Sequence, residues 1–246
     1  MEKTFRKIGL VGGVGWPATI LYYEGLCRAA RASLPGGSPR LAIESLDMRE
    51  TLALRGTPGN PQSWTGFDAT FRDALSNLER GGCKIAAIAS VTPHARFSDI
   101  IDGISIPVVS IVDAAVQTAR KHALTSVIVL GTPVTMTGVW FHEALRASSI
   151  DCPDIVTQDD IQEIADLLEK HFYPGRGAEG RAALLGICHR LAESRPSSAI
   201  VLACTDFSTA FPEFATGAVI EVEGLTFLDA GLAHIQAILS AATIHS

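Results

Sequence analysis

The chain has 246 residues and a formal net charge of −6; 47% of it is hydrophobic and 19% charged. That length and apolar content suffice for one large or two small packed domains and exclude a disordered chain. The negative balance, with no run of Lys and Arg, argues against a nucleic-acid partner. No apolar stretch is long enough to span a bilayer. Met1 to Lys7 leads straight into an apolar run without the h-region or cleavage site of a signal peptide, so a cytoplasmic protein without a membrane partner is expected. The five cysteines, Cys27, Cys83, Cys152, Cys188 and Cys204, are odd in number and widely spaced, with no C-x-x-C. Reduced thiols fit this better than a disulfide framework or a zinc site.

In chain order, a strand is expected over residues 7–11, a helix over 18–32 and a strand over 41–46. A Gly/Pro-rich loop at 55–61 leads to a helix over 67–80 and strands over 84–89 and 108–112. Then come a helix over 114–122, a strand over 126–130 and helices over 138–147 and 160–172, the last capped by Asp159 or Asp160 with Glu163 reaching back. After a break at 174–177 follow a helix over 179–193, strands over 199–203 and 226–228, and a helix over 230–239. The strand runs are rich in Ile, Val, Leu and Ala and do not alternate with polar residues, which suits parallel strands buried on both faces. Strand and helix in repetition mean βαβ units with right-handed crossovers. The two halves share a layout, because Ser90-Val91-Thr92 ends a strand in one and Cys204-Thr205 in the other. The expected fold is α/β: two pseudo-symmetric Rossmann-like lobes with mainly parallel sheets, residues 1–113 plus 217–246 and residues 114–216. Ligands of open parallel sheets bind beyond the carboxyl ends of the strands, so Ser90 and Cys204 would meet in a cleft between the lobes.

Four segments carry candidate chemistry. Gly13-Val14-Gly15-Trp16-Pro17-Ala18 fits G-x-G-x-x-A after the first strand. Its glycines would let backbone N–H groups approach an anion, and Pro17 suits a first helical turn. The acidic residue of a dinucleotide site belongs about 20 residues further on, and Glu44 and Asp47 come late. A turn that lets substrate approach the backbone, or a plain tight turn, fits better than nicotinamide or flavin binding. Cys204 ends the run 200–203 just before a helix; it suits a thiolate held by helix N-terminal N–H groups and equally a packed small hydrophobe. The other four cysteines, in helices or connections, read as packed thiols. Ser90 with His94 as base would suggest hydrolysis, but the surroundings are not G-x-S-x-G and no acid orients His94. A His94 that hydrogen-bonds loop backbone is at least as good a reading. Thr132 and Thr135, after Gly131, suit a carboxylate site or ordinary helix capping. There is no metal-ligand cluster and no lysine in a pyridoxal context, so no cofactor or metal is expected.

Taken together, the segments resemble the aspartate/glutamate racemase family over nearly the whole chain. Residues 8–15 resemble its opening glycine turn, and Ser90 to His94 its first catalytic motif, normally Cys-Asn-Thr-x-His. Residues 106–107 and 111–114 resemble the segment after that motif, and residues 131–136 the glycine-threonine motif of the second half. Residues 175–181 resemble a loop and helix start, Cys204-Thr205-Asp206 stands where Cys-Thr-Glu belongs, and residues 229–234 resemble the terminal helix. The resemblance implies removal of the Cα proton of an amino acid on one face and its return on the other by two thiols, with no cofactor. A thiol suits both roles because its pKa, about 8.5 unperturbed, is within reach of neutrality. Backbone amides and threonines would hold the carboxylate, where charge grows. It implies Cys204 and Ser90 as catalytic residues, and Gly13, Arg49, Val91, Thr92, Thr132, Thr135 and Thr205 as the substrate site. The expected partner is a small carboxylate or amino acid, and the expected assembly a homodimer. Ser90 departs from the motif cysteine, Val91 from its asparagine, and Tyr173 from a lysine near the distal carboxylate, with Lys170 and Arg176 close in sequence. Arg49 matches the substrate arginine of aspartate-specific members. A one-thiol decarboxylase of malonate-type acids and a non-catalytic binding protein are the alternatives.

Overall fold

The unalternated apolar runs become strands with no exposed face: every residue of Ile8–Gly12, Ile85–Ile88, Val127–Gly131 and Ala199–Ala203 is buried. The structure, a computed structural model, describes residues 3–34, 36–57 and 59–245. Met1 and Glu2 of the opening segment and Pro58 of the first expected loop lie outside them. The chain divides into two units, Met1–Ser110 with His234–Ser246, and Ile111–Ala233.

The first unit runs through β1 (Lys3–Phe5), β2 (Ile8–Gly12), α1 (Trp16–Ser33), β3 (Leu41–Ser45) and α2 (Met48–Ala53). It continues through α3 (Thr65–Arg80), β4 (Ile85–Ile88), α4 (Phe97–Ile101) and β5 (Val108–Val109). Its four-stranded sheet has the order β3-β2-β4-β5 and every pairing is parallel. The strand expected over 108–112 stops at Val109, because Ile111 and Val112 turn their apolar side chains into the buried face of the next helix. A short apolar run does not by periodicity alone distinguish strand from helix.

The second unit holds α5 (Ile111–Lys121), β6 (Val127–Gly131), α6 (Pro133–Thr137), α7 (Val139–Ala147), α8 (Gln158–Leu167) and α9 (Gly177–Ser194). It closes with β7 (Ala199–Ala203), β8 (Val219–Val222) and β9 (Leu225–Asp229). The sheet order is β6-β7-β9-β8, with β8 antiparallel to β9. Glu223 and Gly224, at φ 50° and 79°, make the hairpin turn between these two strands. A cap was expected from Asp159 or Asp160; the N-cap of α8 is Thr157, and Asp160 returns its bond as the N3 partner of a capping box. α10 (Ala230–Ala242) starts in the second unit and ends in the first, where β10 (Thr243–His245) pairs antiparallel with β1.

The boundaries differ from those expected. Residues 217–233, assigned to the first lobe, lie in the second, because β9 adds to β7 in parallel and carries β8 with it. The first crossing falls at Ser110 rather than Asp113.

Candidate active site

Parallel register brings the carboxyl ends of the strands level within each unit. In the first, Gly12 pairs with Ser45 and Val11 with Ile88. Gly13, the segment from Leu46 to Arg49, and Ser90 to Thr92 therefore all leave the same edge of one sheet. Gly13 sits at φ +87°, and a Cβ there would come within 2.1 Å of the Leu46 carbonyl oxygen. Packing thus demands glycine here. The Gly13 N–H donates to Thr19 Oγ1 at 2.9 Å. Pro17 occupies the first turn of α1, as its sequence position indicated. Arg49 is exposed on α2, a helix whose start is capped by Asp47 accepting the Glu50 N–H. Ser90 is half-buried, whereas Val91 and Thr92 are buried.

His94 is bonded to loop backbone. Its Nδ1 lies 3.0 Å from the Ser90 carbonyl oxygen, so Nδ1–H donates to the backbone of the very segment that carries the serine. His94 stacks on Phe97 and meets His234 edge to face. His234 Nε2 donates to the Val109 carbonyl at 2.9 Å, which leaves Nδ1 as the acceptor of the Tyr22 hydroxyl, also at 2.9 Å. Tyr22 and His234 are buried and have no counterpart among the candidate residues read from sequence. Burial pushes His94 down to about 4 and His234 down to about 3, the latter helped by His94 itself. Both rings stay neutral at neutral pH and brace the Ser90 segment from behind.

In the second unit, Gly131 pairs with Ala203, so Thr132 and Cys204 leave adjacent strands at the same level. A Cβ on Gly131 would meet the Ala203 carbonyl oxygen at 2.5 Å, the reason for glycine there. Thr132 caps α6: its hydroxyl accepts the Thr135 N–H and lies 3.1 Å from the Thr135 hydroxyl. Cys204 is buried and precedes a six-residue 3-10 segment, Thr205–Ala210, in place of the α-helix expected there. Three ties hold that segment. Gly177 of α9 leaves no room for a side chain against Thr209. Arg181 forks onto Glu213 at 2.7 and 2.8 Å and also donates to the Ala210 carbonyl. Ser208 donates to Asp229, which in turn accepts the Leu232 N–H at the start of α10. Asp229 is fully buried, and burial raises its carboxyl to about 6. Three further thiols are buried packing residues: burial pushes Cys188 up to about 12, Cys152 up to about 11, and raises Cys83, while Cys27 is half-buried. Arg176, near the expected lysine position, is exposed and donates to the Lys170 carbonyl, while Tyr173 packs against the core of this unit. Among the described residues no group of three or more His, Cys, Asp and Glu is arranged to hold a metal ion. No helix of those residues is long and apolar enough to cross a membrane.

These buried groups make stability depend on pH. Below about 6.5 the unfolded chain protonates His94 and His234 while the fold keeps them neutral, so their contribution is lost as pH falls toward 4 and 3. Asp229 acts in the opposite sense, because its folded carboxyl binds a proton up to about 6 and the unfolded one only near 3.8. Two histidines outweigh one carboxyl. Urea unfolding should show a net loss on the order of 3 kcal/mol between pH 7 and pH 4.5. Asp229→Asn, which keeps a capping side chain and removes the opposing group, should steepen that loss. Equal stability at the two pH values would mean that the rings protonate inside the fold.

Two units with mainly parallel sheets, each with a serine or cysteine and threonines at its strand ends, define a two-unit α/β protein. A family model described as Asp/Glu/Hydantoin racemase matches residues 11–238, and the chain belongs to that family. Racemases are isomerases, and the chain is an enzyme of that type. Its structure is similar to that of an aspartate racemase homologue from Pyrococcus horikoshii OT3, with 24% identity, a TM-score of 0.76, and 96% of this chain and 99% of that one covered. It is also similar to an aspartate racemase of Picrophilus torridus, at 18% identity, TM-score 0.69, and 96% and 94% coverage. A double mutant of arylmalonate decarboxylase matches at 14% identity, TM-score 0.54, and 96% and 92% coverage. At these identities the likeness is one of fold.

Proposed function

We propose that the chain is a cofactor-independent amino-acid racemase or epimerase for an acidic or related amino acid, with Cys204 as its main acid and base. The observation that carries this reading is the setting of Cys204. It is a buried thiol at the end of an internal strand, with buried Thr132, Thr135 and Thr205 at the same sheet edge. In this reading the Cys204 thiolate takes the Cα proton and the electron pair passes into the α-carboxylate. The threonine hydroxyls and backbone N–H groups of this unit hold that carboxylate as its charge grows, and the family resemblance adds Thr92 and the backbone of Gly13 and Val91 to that role. By the family resemblance Ser90 serves the opposite face of Cα; its hydroxyl returns a proton poorly, so the reaction runs better in one direction. Arg49 takes the distal carboxylate.

A second reading uses the same thiol. Loss of carbon dioxide from a malonate-type acid leaves a carbanion that needs one proton donor only, and the Cys204 thiol supplies it. The two readings separate in a direct assay. Purified protein without added pyridoxal is incubated with both antipodes of aspartate, glutamate and their neutral analogues, and separately with substituted malonates. Loss of optical purity in an acidic amino acid without carbon dioxide release is the expected result. Carbon dioxide release with every amino acid unchanged would establish the second reading and overturn the first.

A further inference from the structure

Asp229 is a carboxyl that the proposed chemistry does not use, and it is fully buried. It closes β9, whose register pairs Ile200 with Phe227 and Leu202 with Asp229. Register partners in a parallel pair point to the same sheet face, and so do residues two apart on one strand. Asp229 therefore shares a face with Leu202. Cys204 follows Leu202 by two residues in extended backbone, with φ −137° and ψ 120°, so its thiol belongs to that face as well. Ile200, Leu202, Cys204 and Phe227 all enter one apolar core, as this register requires. A strand spacing of about 4.8 Å and two residues of about 3.3 Å each set the Cα atoms of Asp229 and Cys204 about 8 Å apart.

The same carboxyl is tied to the segment that Cys204 opens. One oxygen accepts the Ser208 hydroxyl and the other the Leu232 N–H at 2.8 Å. Ser208 lies in the 3-10 segment Thr205–Ala210, whose first turn closes on the Cys204 carbonyl through the Phe207 N–H at 3.0 Å. The charged groups on the elements packed around Asp229 are engaged, exposed or neutral. Arg181 of α9 is forked onto Glu213, and His189 of the same helix faces Glu223. Glu221 of β8 accepts the Thr226 hydroxyl, and Asp113, Arg120 and Lys121 of α5 are exposed. Burial keeps His234 neutral one turn into α10. Asp206 is buried in the Cys204 segment itself. Burial raises the Asp229 carboxyl to about 6 against hydrogen bonds from Ser208, Leu232 and Gly231 that favour its ionised form.

We propose that Asp229 is a positioning residue for Cys204: through Ser208 it fixes the segment that follows the thiol, and its buried negative charge strengthens the hold of that thiol on a proton. At an effective dielectric constant of about 20, a unit charge about 8 Å away moves a thiol midpoint by about 1–1.5 pH units. The carboxylate is ionised above about 6, so its charge is present throughout the range in which an ordinary thiol titrates. The proposal rests on the reading of Cys204 as acid and base, which gives the charge its use. It makes the thiolate a stronger base toward a Cα proton and keeps the thiol populated for the return step.

The test is a titration of the whole chain that needs no substrate. Ultraviolet absorbance of the thiolate is followed against pH, and subtraction of the same curve for Cys204→Ser isolates Cys204 from the other thiols. In the Asp229→Asn background, treated the same way, the Cys204 midpoint should fall by about 1–1.5 pH units. Ser208→Ala keeps the carboxylate and loosens the segment, so it should leave the midpoint near the wild-type value while lowering kcat more than it changes KM. With a turned-over substrate, the acidic limb of kcat/KM in Asp229→Asn should move with the midpoint. An unmoved midpoint in Asp229→Asn overturns the inference. So does a Ser208→Ala midpoint displaced as far as that of Asp229→Asn, since geometry and not charge would then control the thiol. If Asp229→Asn folds poorly, Asp229→Ser takes its place, because it keeps a capping oxygen for the Leu232 N–H. Loss of the fold in both variants makes Asp229 a purely structural residue and also overturns the inference. A displaced midpoint in a protein that racemises nothing would support the charge coupling and strike the catalytic reading alone.

Discussion

In deuterated water an L-dicarboxylic amino acid is expected to gain Cα deuterium faster than it racemises, and Cys204→Ser is expected to abolish both processes. The reason is the asymmetry of the proposed pair. A thiolate can be resident near neutral pH, whereas a serine hydroxyl is too weak an acid to supply a base there. Deprotonation from the Cys204 side then outruns inversion, and the same thiol often returns a solvent-derived proton to the face it came from. Assignment of this face to the L antipode follows from the family resemblance, in which the second-half cysteine serves that enantiomer. The D antipode should exchange slowly. Cys204→Ser keeps nearly the same shape in a buried position, so the fold should survive while a general-base contribution of about 10²–10⁴-fold is lost. Proton NMR of the Cα signal and chiral chromatography read the two rates separately. Exchange of the D form alone would reverse the facial assignment. Undiminished turnover by Cys204→Ser would remove this residue from the mechanism.

Ser90→Cys is expected to raise net inversion by about 10–100-fold, the scale of one added acid–base group, while changing Cα exchange of the L antipode much less. The substitution restores a second titratable group at almost the same volume. Ser90 is half-buried, so the larger sulfur has room to be accommodated. The segment that carries it is held by His94 on the Ser90 carbonyl, a bond to backbone that the side-chain change leaves intact. The ratio of deuterium gain to racemisation should fall toward one, and the D antipode should begin to exchange. A folded Ser90→Cys protein that gains nothing on any amino acid tested would break the pairing of Ser90 with Cys204.

Much of the candidate site was legible because its residues sit where local pattern changes. Ser90, Thr132 and Cys204 each follow an unalternated apolar run, and such a run ends at a sheet edge wherever the strand ends. The glycines beside them were legible as turns, but their cause was not. Gly13 is required by the Leu46 carbonyl and Gly131 by the Ala203 carbonyl, both on neighbouring strands. His94 was legible as a histidine near a serine, and its bond to the Ser90 backbone favours the structural role over the catalytic one.

The sequence by itself determined the α/β class, the parallel strands and the residues at their carboxyl ends, because burial on both faces and helical periodicity are written in neighbouring residues. Only the tertiary structure decided where the units divide, since β9 belongs to the second sheet by its pairing with β7, across more than twenty residues of chain. Only the tertiary structure joined Tyr22 to His234, 212 residues away, and set both beside His94 and Val109. It likewise bound Ser208 to Asp229 beneath the Cys204 segment. The physical reason is common to all three. A strand pair or a buried hydrogen bond gains its free energy from a partner brought close by the fold, and neither residue of such a pair carries a local mark of the other.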